Sequence, residues 1–169
     1  MSADIQYADA LKTIEFIESN HLPAGMYTTY GGICEALGYK PSKHARHVGQ
    51  VCSLIDSACF WAKLPFLTAE KVRSDNGQHN LASFAGDWQP FKDALLQISA
   101  QHEWTSEDIG VIRSMLNHMN GESALSQWER IEGFGQAAQE RALNHLQFYF
   151  SLHMYGYRYT NGQQTRNRR

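Results

Sequence analysis

Thr29-Tyr30-Gly31-Gly32-Ile33-Cys34-Glu35-Ala36-Leu37-Gly38-Tyr39-Lys40-Pro41-Ser42-Lys43-His44-Ala45-Arg46-His47-Val48-Gly49-Gln50 is the stretch whose reading decides the fold. The Thr29 hydroxyl can accept a backbone N–H and so start a short helix over residues 30–37. Gly38 can take the left-handed conformation that ends it. Pro41 and Ser42 then open a second helix, expected over residues 42–54 with Ser42 as N-cap. Two short helices joined by a tight turn at Gly38 have the layout of a helix-turn-helix.

Outward from this core, Ile5, Ala8, Leu11, Ile14, Phe16 and Ile17 recur at helical spacing and predict a helix over residues 4–20, broken by His21-Leu22-Pro23-Ala24-Gly25. On the other side, residues 66–73 are expected to be extended, followed by the turn Ser74-Asp75-Asn76-Gly77 and a returning leg over 78–84. Asn-Gly between two extended runs signals a hairpin, and a hairpin placed after a helix-turn-helix is a wing. Further helices are predicted over 88–101, over 107–119 with Ser106 as cap and Ile109 where a capping box would have Glu, over 126–132, and over 135–155. The expected fold is mainly α: a winged helix-turn-helix with a small β-hairpin wing plus a C-terminal helical extension. Its divisions are a winged-helix domain with its N-terminal helix at 1–98, the helical extension at 99–159, and a polar, aperiodic, disordered basic tail at 160–169.

The composition is compatible with this. The chain has 169 residues, 43% of them hydrophobic, enough for one well-cored domain with an added helical piece. No apolar run approaches the roughly 18 residues that span a bilayer. Met1-Ser2-Ala3-Asp4 lacks the start of a signal peptide, so a cytoplasmic protein with no membrane partner is expected. Cys34, Cys52 and Cys59 are odd in number and form no Cys-x-x-Cys pair, which favours free buried thiols over disulfides or a zinc ribbon. His44 and His47 lie three apart on one helix, but no third ligand accompanies them, so no metal is expected, and no cofactor is implied. The net charge of −2 hides an uneven distribution. Between Tyr39 and Arg73, Lys40, Lys43, Arg46, Lys63, Lys71 and Arg73 face only Asp56 and Glu70, a local balance of +4. A polyanion partner is compatible with such a patch.

Four segments, in order, carry a family resemblance: Leu22-Pro23-Ala24-Gly25 through Thr29-Tyr30-Gly31-Gly32-Ile33-Cys34; Pro41-Ser42-Lys43-His44-Ala45-Arg46-His47-Val48-Gly49; Val72-Arg73-Ser74-Asp75-Asn76-Gly77; and Trp88, Lys92, Leu95-Leu96. Together they resemble the DNA-binding domain of the 6-O-alkylguanine-DNA alkyltransferases, over residues 22 to about 98. The family's reactive Pro-Cys-His-Arg-Val aligns with Thr68-Ala69-Glu70-Lys71-Val72, so Ala69 stands at the nucleophile's position and Glu70 at that of the histidine that activates it. Alkyl transfer needs a thiolate, and no cysteine lies between residues 60 and 169. The chain therefore resembles the non-catalytic, alkyltransferase-like branch of the family.

That resemblance implies a non-enzymatic protein that binds double-stranded DNA through the minor groove. Tyr30 would sit beside the phosphate of a flipped nucleotide, and Arg46 would enter the duplex to fill the gap. Lys43, Lys71 and Arg73 would contact phosphates, with Thr29 offering a hydroxyl or an N–H. Phe60, Trp61 and Phe66 fit either a base pocket or the core. The family's asparagine that organises the recognition helix and the active-site turn is missing, since residues 55–65 offer only Asp56 and Ser57. A protein partner would be recruited through the helices of residues 100–159. The competing expectation is a protein-interaction module, for example in restriction or phage defence and counter-defence, that keeps the winged helix as a scaffold. An enzyme of another kind, built on Glu70 or a histidine, is a third alternative without a visible catalytic partner.

Overall fold

The computed structural model describes residues 2–79, 89–119 and 121–131, together with Glu140, Leu143 and Asn144. These residues are mainly helical, with one two-stranded sheet. In chain order the elements are α1 (Ala3–Asn20), β1 (Thr28–Thr29), α2 (Tyr30–Leu37), α3 (Pro41–Trp61), α4 (Leu67–Lys71), β2 (Val72–Arg73), α5 (Gln89–Gln101), α6 (Ser106–His118) and α7 (Ala124–Ile131).

Local chemistry sets most of the boundaries. The Thr29 hydroxyl accepts the Gly32 N–H and starts α2, and Gly38, at φ +80°, ends it while its own N–H returns to the α2 carbonyls. For α3 the expected Ser42 cap is corrected: Lys40 is the extended N-cap residue and Pro41 occupies the first turn, where its missing N–H costs no bond. The helix also continues to Trp61 instead of stopping near residue 54, because every residue from Val51 to Phe60 is buried. A helix buried all round is a core helix, and α1, α2, α4, α6 and α7 all pack on α3. It ends where Leu64 N–H bonds the Cys59 carbonyl and Lys63 N–H that of Phe60, with Lys63 held at φ 62°. Thr105, not Ser106, caps α6, and with Asp108 it completes a reciprocal capping box.

A single hydrophobic core joins the whole described chain. Ile14 and Ile17 of α1, Ile33 of α2, Val48, Val51, Leu54 and Ile55 of α3, Leu95 of α5, Ile109, Ile112 and Leu116 of α6 and Trp128 of α7 all belong to it. The Trp128 indole donates to the Ser53 carbonyl at 3.0 Å, fastening α7 to α3. Within this core α6 packs on α1 and α3, and α7 packs on α3.

Residues 67–71, expected to be extended, are helical. The strand pairing is parallel, Thr28 with Val72 and Thr29 with Arg73, and brings the loop before α2 beside the segment after α4. The predicted turn forms: Gly77, at φ 86°, donates its N–H to the Ser74 carbonyl, and an antiparallel bridge joins Arg73 to His79. The rest of the expected wing, residues 80–84, lies outside the described residues, as do most of the 135–155 helix and the 160–169 tail. Among the described residues, no helix is long and apolar enough to cross a membrane.

Candidate nucleic-acid interface

The first turns of α3 are exposed to solvent. Pro41, Ser42, Lys43, Ala45 and Arg46 are exposed, as is Lys40, and burial begins at His47 and Val48. No acidic residue lies between Glu35 and Asp56. This end of the helix is anchored from below. The buried Asp9 of α1 places Oδ2 2.7 Å from His47 Nε2, and the same oxygen accepts the Tyr39 hydroxyl at 2.6 Å. That second bond, with burial, pushes the Tyr39 hydroxyl pKa up to about 12. Tyr39 in turn stacks on His44, ring centroids 4.5 Å apart. The His44/His47 pair is thus divided between an aromatic stack and a carboxylate, and the cationic end of α3 is fixed to α1.

The start of α2 is committed to internal bonds. Thr29 spends its hydroxyl on the Gly32 N–H at 3.0 Å. Gly31 N–H donates to Asp75 Oδ1 at 3.0 Å, so a carboxylate from the 74–77 turn already occupies this helix end. A Cβ at Gly31 would lie 2.8 Å from that oxygen, so a larger residue there would displace the Asp75 carboxylate from the helix end. Tyr30 is half-buried against the core, and burial, reinforced by Cys52 and Asp56, raises its hydroxyl pKa far above the ordinary value.

The α4 turn is interior. Ala69 is fully buried, Glu70 is 8% exposed and Lys71 1%. The Lys71 ammonium donates to the carbonyls of Leu22, Pro23 and Met26 at 3.0, 3.1 and 3.2 Å, using every N–H it has. This removes Lys71 from the phosphate contacts expected of it and makes it a fastener for the 22–26 loop. Arg73 is half-buried: its guanidinium lies 4.0 Å over the Tyr27 ring and 3.9 Å from the Glu70 carboxylate. Asp56 on α3 accepts the Thr68 N–H at 3.1 Å and the Thr68 hydroxyl at 2.6 Å. It ties α3 to α4. Burial pushes the Asp56 carboxyl up to about 7 against the opposing pull of those two bonds.

Of the six candidate DNA contacts, Lys43 and Arg46 are exposed together on one helix end, Thr29, Tyr30 and Arg73 are partly covered, and Lys71 is enclosed. Phe60 and Phe66 are buried in the core, while Trp61 is 36% exposed and bonds Gln127 through its indole. The anchoring roles of Asp9, Tyr39 and Asp56 had no local sequence signal, because each depends on a residue at least 12 positions away. All three cysteines are free and buried, and burial raises each thiol's pKa. Compared with protein-family models, curated proteins and solved structures, the chain matches none.

Proposed function

We propose that this chain is a non-enzymatic DNA-binding protein of the alkyltransferase-like type, in which α2 and α3 form the helix-turn-helix and the 74–77 turn begins the wing. The supporting observation is the start of α3, where Lys43 and Arg46 stand exposed beside Lys40 with no nearby acid in sequence, on a helix whose other half is locked in the core. A rigidly held cationic helix end suits phosphate contacts and groove entry, with Arg46 the residue that enters the minor groove. Ala69 offers a methyl group at the nucleophile's position, and the thiols present are buried and poorly ionised, which supports binding without alkyl transfer. Val111 on α6 and Leu125 on α7, 42% and 49% exposed, are apolar positions through which a protein partner would be recruited.

Fluorescence anisotropy on plain and alkylguanine-containing duplexes tests this reading. Arg46→Ala is expected to weaken binding about tenfold, the scale of one well-placed contact. Lys43→Ala should lower affinity on every sequence and reduce the salt slope by about one. Equal affinity of wild type and Arg46→Ala on both duplexes refutes the interface. In that case the interaction-module reading leads, with Val111 and Leu125 as its surface. A stoichiometric alkyl mass gain after incubation with the modified duplex refutes the non-enzymatic assignment.

A further inference from the structure

Tyr27 stands apart from the other large exposed side chains. It is 38% exposed, next to Met26 at 45%, on a loop that would ordinarily be mobile. Here the loop is fixed from three directions. Gly25, at φ +83°, shapes the turn closed by the Met26 N–H on the Pro23 carbonyl. The enclosed Lys71 ammonium then holds the carbonyls of Leu22, Pro23 and Met26. Immediately after Tyr27 the chain enters β1, where Thr28 is buried and paired with Val72. One face of the Tyr27 ring rests on the Arg73 guanidinium, which is backed in turn by Glu70.

An exposed aromatic ring on a preordered backbone, with a cation beneath it, can stack without first losing conformational freedom. The guanidinium also draws electron density toward itself, which favours an electron-rich π-system on the ring. Beside it, Arg73 Nε and Glu70 Oε1 are buried without a hydrogen-bond partner among the described residues, one a donor and the other an acceptor.

We propose that Tyr27, braced by Arg73, is a stacking platform for an unstacked nucleobase of the bound nucleic acid. This rests on the DNA-binding reading and adds to it a residue outside the α3 surface. Aromatic stacking of single bases is sequence-tolerant and strong enough to be measured by substitution.

The probes are three oligonucleotides: a matched duplex, the same duplex with one bulged 2-aminopurine, and the single strand carrying 2-aminopurine. The wild type should bind the bulged duplex about tenfold more tightly than the matched one and change the 2-aminopurine emission on binding. Tyr27→Ala should abolish the tenfold preference and the emission change while leaving matched-duplex affinity unaltered, and Tyr27→Phe should retain both. Arg46→Ala, by contrast, should weaken both duplexes. Unchanged bulge preference and emission in Tyr27→Ala, with its circular dichroism intact, overturn the platform and leave the α3 interface standing. A wild type that binds neither duplex but changes the single strand's emission in a Tyr27-dependent way refutes the duplex reading and supports the platform. Absence of a Tyr27-dependent signal on all three probes overturns it.

Discussion

The exposed start of α3 and the buried turn of α4 both carry cations, in opposite surroundings. Lys43 and Arg46 are exposed to water, where they can meet a polyanion. Lys71 is 1% exposed, and its ammonium is paid in full by three backbone carbonyls. Burial lowers its pKa, yet those carbonyls leave no donor idle. A lysine in a basic run is therefore a contact or a fastener according to where the backbone carries it, and charge counting cannot distinguish the two. The same contrast governs the carboxylates: Asp75 sits in an exposed turn on the Gly31 N–H, while Asp56 is enclosed and holds Thr68.

The largest effect should come from the enclosed lysine. Lys71→Met keeps the apolar stem and strands three carbonyls, and we expect a loss of about 3 kcal/mol in chemical denaturation, given the strength of hydrogen bonds to charged groups. A loss under about 0.5 kcal/mol would break the contrast with Lys43. Next comes pH. The Asp56 carboxyl is raised in the folded chain, so the native state holds a proton that the unfolded chain releases between about pH 4 and about pH 7. Its contribution to stability is fully present below the ordinary carboxylate value and is lost as pH rises to about 7, by at most about 1.4 kcal/mol per pH unit. Asp56→Asn should flatten that part of the stability–pH curve, and an unchanged slope would show that another group sets it. At the junction of the two regions, Lys63 holds φ 62° at the end of α3. Lys63→Gly should raise stability by roughly 0.5–1 kcal/mol, read as a higher denaturation midpoint. The smallest effect belongs to the exposed end: Lys43→Ala and Arg46→Ala should each change stability by less than about 0.5 kcal/mol.

Legibility in the sequence follows the same divide. Features set by neighbouring residues could be read: α2 between Thr29 and Gly38, the Gly77 turn, and α1 from its apolar spacing. The overextended features were tertiary. Ser53 to Cys59 shows no one-sided helical stripe, since burial is complete around α3 there, and so the end of that helix was invisible locally. The five residues of α4 are too few to show a helical period, and their start is held by Asp56, 12 positions upstream of Thr68. At the α6 cap the sequence signal was present but lay one residue earlier, in Thr105 with Asp108. For the candidate site, the exposed cations of α3 were legible, whereas the enclosure of Lys71 and the Tyr27–Arg73 stack depend on loop 22–26 folding back on α4.

The three enclosed thiols also have a practical consequence. Cys34, Cys52 and Cys59 are 1%, 0% and 0% exposed, and each is held in its unreactive protonated form. The folded chain should be silent to maleimide reagents at neutral pH. A cysteine introduced at Lys43 would then be the single labelling point, and a dye placed there would report on the α3 tip without any native thiol having to be removed.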